Sequence, residues 1–133
     1  MKVFIARADV VNSNGRLYPK ETLEKAIEEF NNKEKTFVTY DNEQQFNINL
    51  SKICAVTEKM WMEDNDVFVE LTKIDTPAAK EIWSSIESGT TPVRSISTGY
   101  IDDNGKVTDL TISHVNVYAP ETKVSWDDIK FRP

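Results

Sequence analysis

Between Pro92 and Pro120 the chain carries two long runs rich in β-branched residues, VRSISTGYI and KVTDLTISHVNVYA, joined through Asp103-Asn104-Gly105. Asn-Gly supplies the left-handed backbone positions that a tight hairpin needs, so these segments are committed to antiparallel sheet. The same reading pairs residues 50–62 with 66–74 around Glu63-Asp64-Asn65, and places shorter strands at 2–10 (KVFIARADV) and 36–40 (TFVTY).

Two stretches carry the helical period instead. From Lys20 to Asn32, Leu23, Ala26, Ile27 and Phe30 recur on one face, and Pro19 stands where a first helical turn needs no N–H donor. Thr76 predicts a second cap, with Pro77 at the first position, a buried stripe of Ala79, Ile82, Trp83 and Ile86, and Gly89 as the stop. Asn12, Asn14 and Gly15 make a turn-rich loop, for which turn formation and packing are sufficient reasons. Six or seven strands and two helices joined by short turns predict an α+β domain, a small antiparallel β-barrel, closed or nearly so, with both helices packed outside. A single domain is expected over residues 1–124, followed by a tail, 125–133, without clear period, whose Trp126 and Phe131 can dock on the body or on a partner.

A chain of 133 residues supports one core and argues against two. Three Trp, four Tyr and six Phe are too many for a disordered acidic tail. No apolar run approaches the roughly 20 residues of a membrane span, and MKVFIARADVV lacks the long apolar stretch of a signal peptide, so no membrane partner is expected. The single Cys54 and single His114 exclude a disulfide framework and a Cys/His zinc site, and fit a reducing compartment. Cys54 itself lies on an apolar strand and reads as a buried, inert thiol. Sixteen basic residues against 22 acidic ones give a net charge of −6 with no basic stripe, which argues against nucleic acid. No Gly-rich phosphate loop is present, and neither a metal nor a cofactor is expected.

Four phrases, in order, resemble a known family. Residues 12–19, Asn-Ser-Asn-Gly-Arg-Leu-Tyr-Pro, are similar to the N-x-N-G-R-x-Y-P opening of the tailed-bacteriophage prohead maturation proteases. Asp75 to Lys80 resembles their D-T-P-x-G-K helix start, Ser95 to Tyr100 their nucleophile strand, and Ile112 to Pro120 their late strand ending in a small residue and Pro. The resemblance implies an assemblin-like barrel flanked by helices. It also implies a serine endopeptidase that cuts scaffold and capsid proteins within the immature head, in the cytoplasm of the bacterial host. Those proteins are then its partners, and an oligomer is compatible with that setting.

By the same resemblance Ser97 stands at the nucleophile position, with Ser95 as the alternative. His114 takes the place of the third triad member, which is acidic in many phage enzymes and His in the herpesvirus relatives. The family's L-D-H-P-like phrase is matched by Tyr40-Asp41-Asn42-Glu43, so Asn42 stands where the general base belongs. A Ser hydroxyl needs a neighbouring base to become a nucleophile, and an amide has no basic nitrogen near neutral pH. The expectation is therefore a catalytically impaired member serving as a structural or scaffold-binding part of the head. The alternatives are an active serine endopeptidase and, further off, a host-directed binding protein reusing the barrel. Gly99 and Arg94 are candidates for oxyanion or substrate contact, though a surface arginine is the plainer account of Arg94.

The residues alone give the Ser and His a testable geometry. If Asn104-Gly105 is a two-residue turn, Asp103 faces Lys106, Ser95 lies opposite His114, and Ser97 lies diagonal to it on the same face. A bulge in the turn would flip the register and separate them.

Overall fold

The structure, a computed structural model, describes residues 1–12, 14–41 and 48–120, together with the backbone of 128–131. Along the chain run β1 (Lys2–Arg7), α1 (Lys20–Asn31), β2 (Phe37–Tyr40), β3 (Ile53–Glu63), β4 (Asp66–Lys73), α2 (Pro77–Glu87), β5 (Val93–Ile101), β6 (Val107–Val117) and β7 (Asp128–Phe131), with one turn of 3₁₀ helix at Leu50–Lys52 before β3. All seven strands belong to one sheet in the order β1-β4-β3-β2-β6-β5-β7. The sheet curls until Ile5 and Ala6 of β1 face Ser95 and Ser97 of β5 across one small internal cavity. No ladder joins β1 to β5 or β7 among the described residues, so the result is a half-barrel of the expected α+β kind.

Both hairpins form. β3 and β4 turn through Asp64 and Asn65, with Glu63 opposite Asp66 and Asp64 at a left-handed φ of 53°. Two junctions depart from an all-antiparallel barrel: β2 lies parallel to β6, and β7 parallel to β5. Hairpin turns enforce antiparallel neighbours, but β2 meets β6 only after the chain has passed through β3, β4, α2 and β5, so no local turn sets their direction. β7 comes from the segment read as a tail, and Ile96 of β5 pairs with Asp128. Trp126 lies outside the described residues.

The helices follow the sequence closely, with one difference. In α1, Leu23, Ala26, Ile27 and Phe30 are buried as the stripe predicts. Pro19 occupies the cap just before the first turn, and the Lys20 N–H is met by Asp9 Oδ1 at 3.1 Å. Asn31 clasps β3 at the far end: its Nδ2 donates to Met60 O (2.7 Å), and its Oδ1 accepts from Met60 N (3.0 Å). Thr76 caps α2 by accepting from Ala79 N (3.1 Å), and its hydroxyl also donates to Ile53 O (2.6 Å), tying the helix to β3. Gly89 takes φ 72° just past the helix end, where its N–H donates to Ile86 O. Trp83 is only half-buried, against expectation. The buried stripe runs through Ala78, Ala79, Ile82 and Ile86, whose two alanines bring the helix close and leave Trp83 on its flank.

The loop at residues 12–18 is structural. Asn12 Oδ1 accepts from the N–H groups of Asn14 (2.9 Å) and Arg16 (3.0 Å). Leu17 then bridges to the distant hairpin, its N–H donating to Gly105 O (2.8 Å) and its carbonyl accepting from Val107 N (2.9 Å). The contact is so close that a Cβ on Gly105 would stand 2.4 Å from Gly15 O.

Candidate functional site

The β5–β6 hairpin carries the candidate residues, and its register decides which of them meet. Asp102 N–H donates to Lys106 O (2.9 Å) and Gly105 N–H to Asp102 O (3.1 Å), so the turn encloses three residues rather than Asn104-Gly105 alone. An irregularity between Tyr100 and Ile101 then absorbs the extra residue, and Ser97 pairs with Ile112, as a two-residue turn would have had it. A second irregularity between Ile96 and Ser97 leaves Ser113 without a partner and sets Ile96 opposite His114 and Ser95 opposite Val115. The expected Ser95–His114 pairing is therefore displaced by one residue. Register partners share a face of the sheet, so His114 goes with Ile96 while Ser95 and Ser97 turn to the other side.

That other side is the interior. Ser97 is 0% exposed. Its hydroxyl donates to Ser95 Oγ at 3.3 Å, and the cavity that both serines line is otherwise walled by Ile5, Tyr18, Leu23, Val67, Leu110 and Ile112. Among the described residues no basic group hydrogen-bonds Ser97. Ser95 is half-buried at the wall of the same cavity.

The opposite face holds His114, Asn116 and Thr39, all buried, with Arg94 half-buried beside them. His114 Nδ1 lies 3.0 Å from Ser113 Oγ. Burial, and secondarily the Lys33 ammonium, hold its imidazole below the ordinary value, which favours the neutral ring. Arg94 Nη1 donates to Val93 O (2.7 Å) and the residue pairs with Asn116. Gly99 lies within the sheet, between Leu110 of β6 and Phe131 of β7. A Cβ there would stand 2.3 Å from Asp109 O, so close strand approach accounts for this glycine.

Asn42 lies outside the described residues. Its predecessor Asp41 is fixed at the end of β2, where its N–H donates to Val117 O (3.1 Å) and its carbonyl accepts from Asn116 Nδ2 (2.8 Å). Asn116 is in turn held by Thr39, whose hydroxyl donates to Asn116 Oδ1 at 2.6 Å. From Val117 back to Ile112, the partner of Ser97, β6 covers about 16 Å at the usual strand rise. Asp41, the last described residue before that position, is thus held by Asn116, which shares its face with His114 and pairs with Arg94 several residues along the strand from the partner of Ser97. Sequence reasoning missed the Thr39–Asn116 clamp and the Ser113–His114 contact. Adjacent Ser113 and His114 were visible in the sequence, but nothing local signals the bulge that frees them.

Cys54 is buried, with Sγ 3.5 Å from Val38 O, and burial pushes its thiol up to about 12. It is inert at neutral pH. Among the described residues no group of three or more His, Cys, Asp or Glu is placed to hold a metal ion.

Comparison with known proteins bears on this architecture directly. The capsid assembly protease of bacteriophage T4 superposes with a TM-score of 0.72 at 24% identity, over 90% of this chain and 80% of that one. In sequence, the prohead core protein protease of Enterobacteria phage T4 is 28% identical over 90% of this chain, which spans 63% of that protein's length. The description "Prohead core protein serine protease" matches residues 1–126. With the half-barrel, the family phrases and this match in agreement over nearly the whole length, the chain belongs to the prohead core protein serine protease family.

Proposed function

We propose that this chain is a phage head-assembly protein that binds prohead scaffold or capsid proteins within the immature head in the host and does not cut them. The observation that carries this reading is the setting of Ser97, a fully buried hydroxyl in an apolar cavity whose partner is another serine. A serine nucleophile needs a base within hydrogen-bond reach and room for a carbonyl carbon about 3 Å away. Among the described residues Ser97 has neither: His114 is on the other face, and Asn42, which the resemblance sets at the base position, is an amide that could not take a proton. What remains is the family's fold, with both helices packed and the hairpin intact, as a surface on which such proteins would bind. The experiment is sedimentation of the purified chain with a prohead scaffold protein, read on a gel. Co-sedimentation with the scaffold intact is expected. Scaffold fragments that disappear with Ser97→Ala would instead establish an active endopeptidase, and failure to co-sediment with either scaffold or capsid protein would overturn the assembly role.

A further inference from the structure

A hydroxyl and an imidazole do meet in this fold, at Ser113 and His114. Ser113 is the residue left over by the second irregularity of the hairpin. It has no register partner on β5, and β2 joins β6 only from Val115 onward. Its backbone therefore lies outside both ladders, and its side chain is half-buried and reachable while that of His114 is buried. The Lys33 ammonium stands at the same place, donating to Ile112 O at 2.6 Å, the carbonyl of the peptide unit that supplies the Ser113 N–H.

We propose that Ser113, with His114 as its base, is a reactive hydroxyl that takes an acyl or phosphonyl group from small activated esters and fluorophosphonates. Oγ lies 3.0 Å from Nδ1, within the reach required for direct proton transfer. The neutral ring favoured by burial has, in its Nε2–H tautomer, an Nδ1 lone pair to accept the hydroxyl proton, whereas an imidazolium would have none to offer. Lys33 places its ammonium on the Ile112 carbonyl, one peptide unit from the hydroxyl, so that a positive charge stands close to an addition step at Ser113. With a fluorophosphonate, Ser113 Oγ attacks phosphorus, the P–O bond forms as the P–F bond breaks, fluoride leaves, and the hydroxyl proton passes to His114 Nδ1 and then to solvent. With an activated aryl ester the same attack falls on the acyl carbon, and the phenolate leaves. The bulge is what makes this local, since it lifts Ser113 out of the ladder beside the buried ring.

The test is labelling of the full chain with an alkyl fluorophosphonate near pH 7.5, followed by tryptic mapping. Residues 95–106, with Ser95 and Ser97, and residues 107–123, with Ser113, fall in separate peptides. The adduct is expected on the second peptide, at Ser113, and absent from Ser113→Ala. His114→Gln should slow labelling about a hundredfold, the usual worth of a positioned base. Should that variant fail to fold, the parent's labelling rate supplies the readout, falling as pH drops through the imidazole's titration. An adduct on 95–106, an adduct on 107–123 that persists in Ser113→Ala, or no adduct at all would overturn the assignment.

Discussion

The two serines of the interior cavity have unequal surroundings, and that inequality predicts an asymmetry in stability. Ser97 is fully buried and donates its only hydrogen bond to Ser95, which is half-buried and has access to water. Ser95→Ala leaves the Ser97 hydroxyl orphaned among Ile5, Leu23 and Ile112. An unmet buried hydroxyl costs about 1–3 kcal/mol, of which the 3.3 Å bond itself represents the smaller part. Ser97→Ala removes the buried polar group altogether, leaves Ser95 to hydrate, and should cost no more than about 0.5 kcal/mol. The double variant should match Ser97→Ala alone, giving a coupling of about 1 kcal/mol or more between the two sites. A chain of 133 residues unfolds with an entropy near 0.28 kcal/mol/K, so each kcal/mol moves Tm by about 3–4 °C. Urea midpoints at constant m-value, backed by calorimetry, resolve differences of this size. The reasoning fails if Ser97→Ala proves the costlier single change, which would give its hydroxyl favourable partners beyond Ser95, or if the two effects simply add, which would show that the Ser97 hydroxyl does not depend on Ser95.

Thr76→Ala removes both the α2 cap and the bond to Ile53 O, and should cost about 1.5–3 kcal/mol in urea unfolding, with Thr76→Ser recovering most of it. Ile82→Ala, at a position 2% exposed, should cost about 2–5 kcal/mol and exceed Trp83→Ala, whose ring is only half-buried; the reverse order would mean that α2 is rotated from the packing described. Because burial lowers the folded-state value of His114, the unfolded chain binds more protons just below pH 6.5. Stability should therefore fall as pH drops from about 6.5 toward that lower value, and His114→Gln should flatten this limb of the pH profile. Cys54, with its thiol pushed up to about 12, should resist iodoacetamide at pH 8 until the chain is unfolded, as mass spectrometry will read.

Much of the fold was legible because it is locally written. The Asp64 and Gly105 turns, the Thr76 cap and the Leu23-to-Phe30 stripe each depend on a few neighbouring residues whose chemistry admits little else. The parallel junctions were not legible, since strands that meet after a long excursion carry no turn to declare their direction. The site shows the same division. The serines and the histidine stand on adjacent strands as the sequence indicates, and Ser97 even pairs with the residue that a two-residue turn would give it. Yet a single unpaired residue, Ser113, turns His114 to the other face, and bulges are settled by packing on both sides of a sheet rather than by the residue that occupies them. Trp83 was misplaced for a related reason: periodicity locates a stripe, while the small Ala78 decides its centre line.

The central claim is that this member of the family keeps the shell without a working Ser97 centre. The most direct measurement is mass spectrometry of a prohead scaffold polypeptide incubated with the parent chain, with Asn42→His and with Ser97→Ala. The account predicts no cleavage by the parent above the Ser97→Ala background. It predicts none from Asn42→His either, because Ser97 itself is fully buried in a small apolar cavity with its hydroxyl directed to Ser95. Defined fragments from the parent or from Asn42→His, lost when Ser97 becomes Ala, would contradict it and show that the cavity opens to admit a peptide.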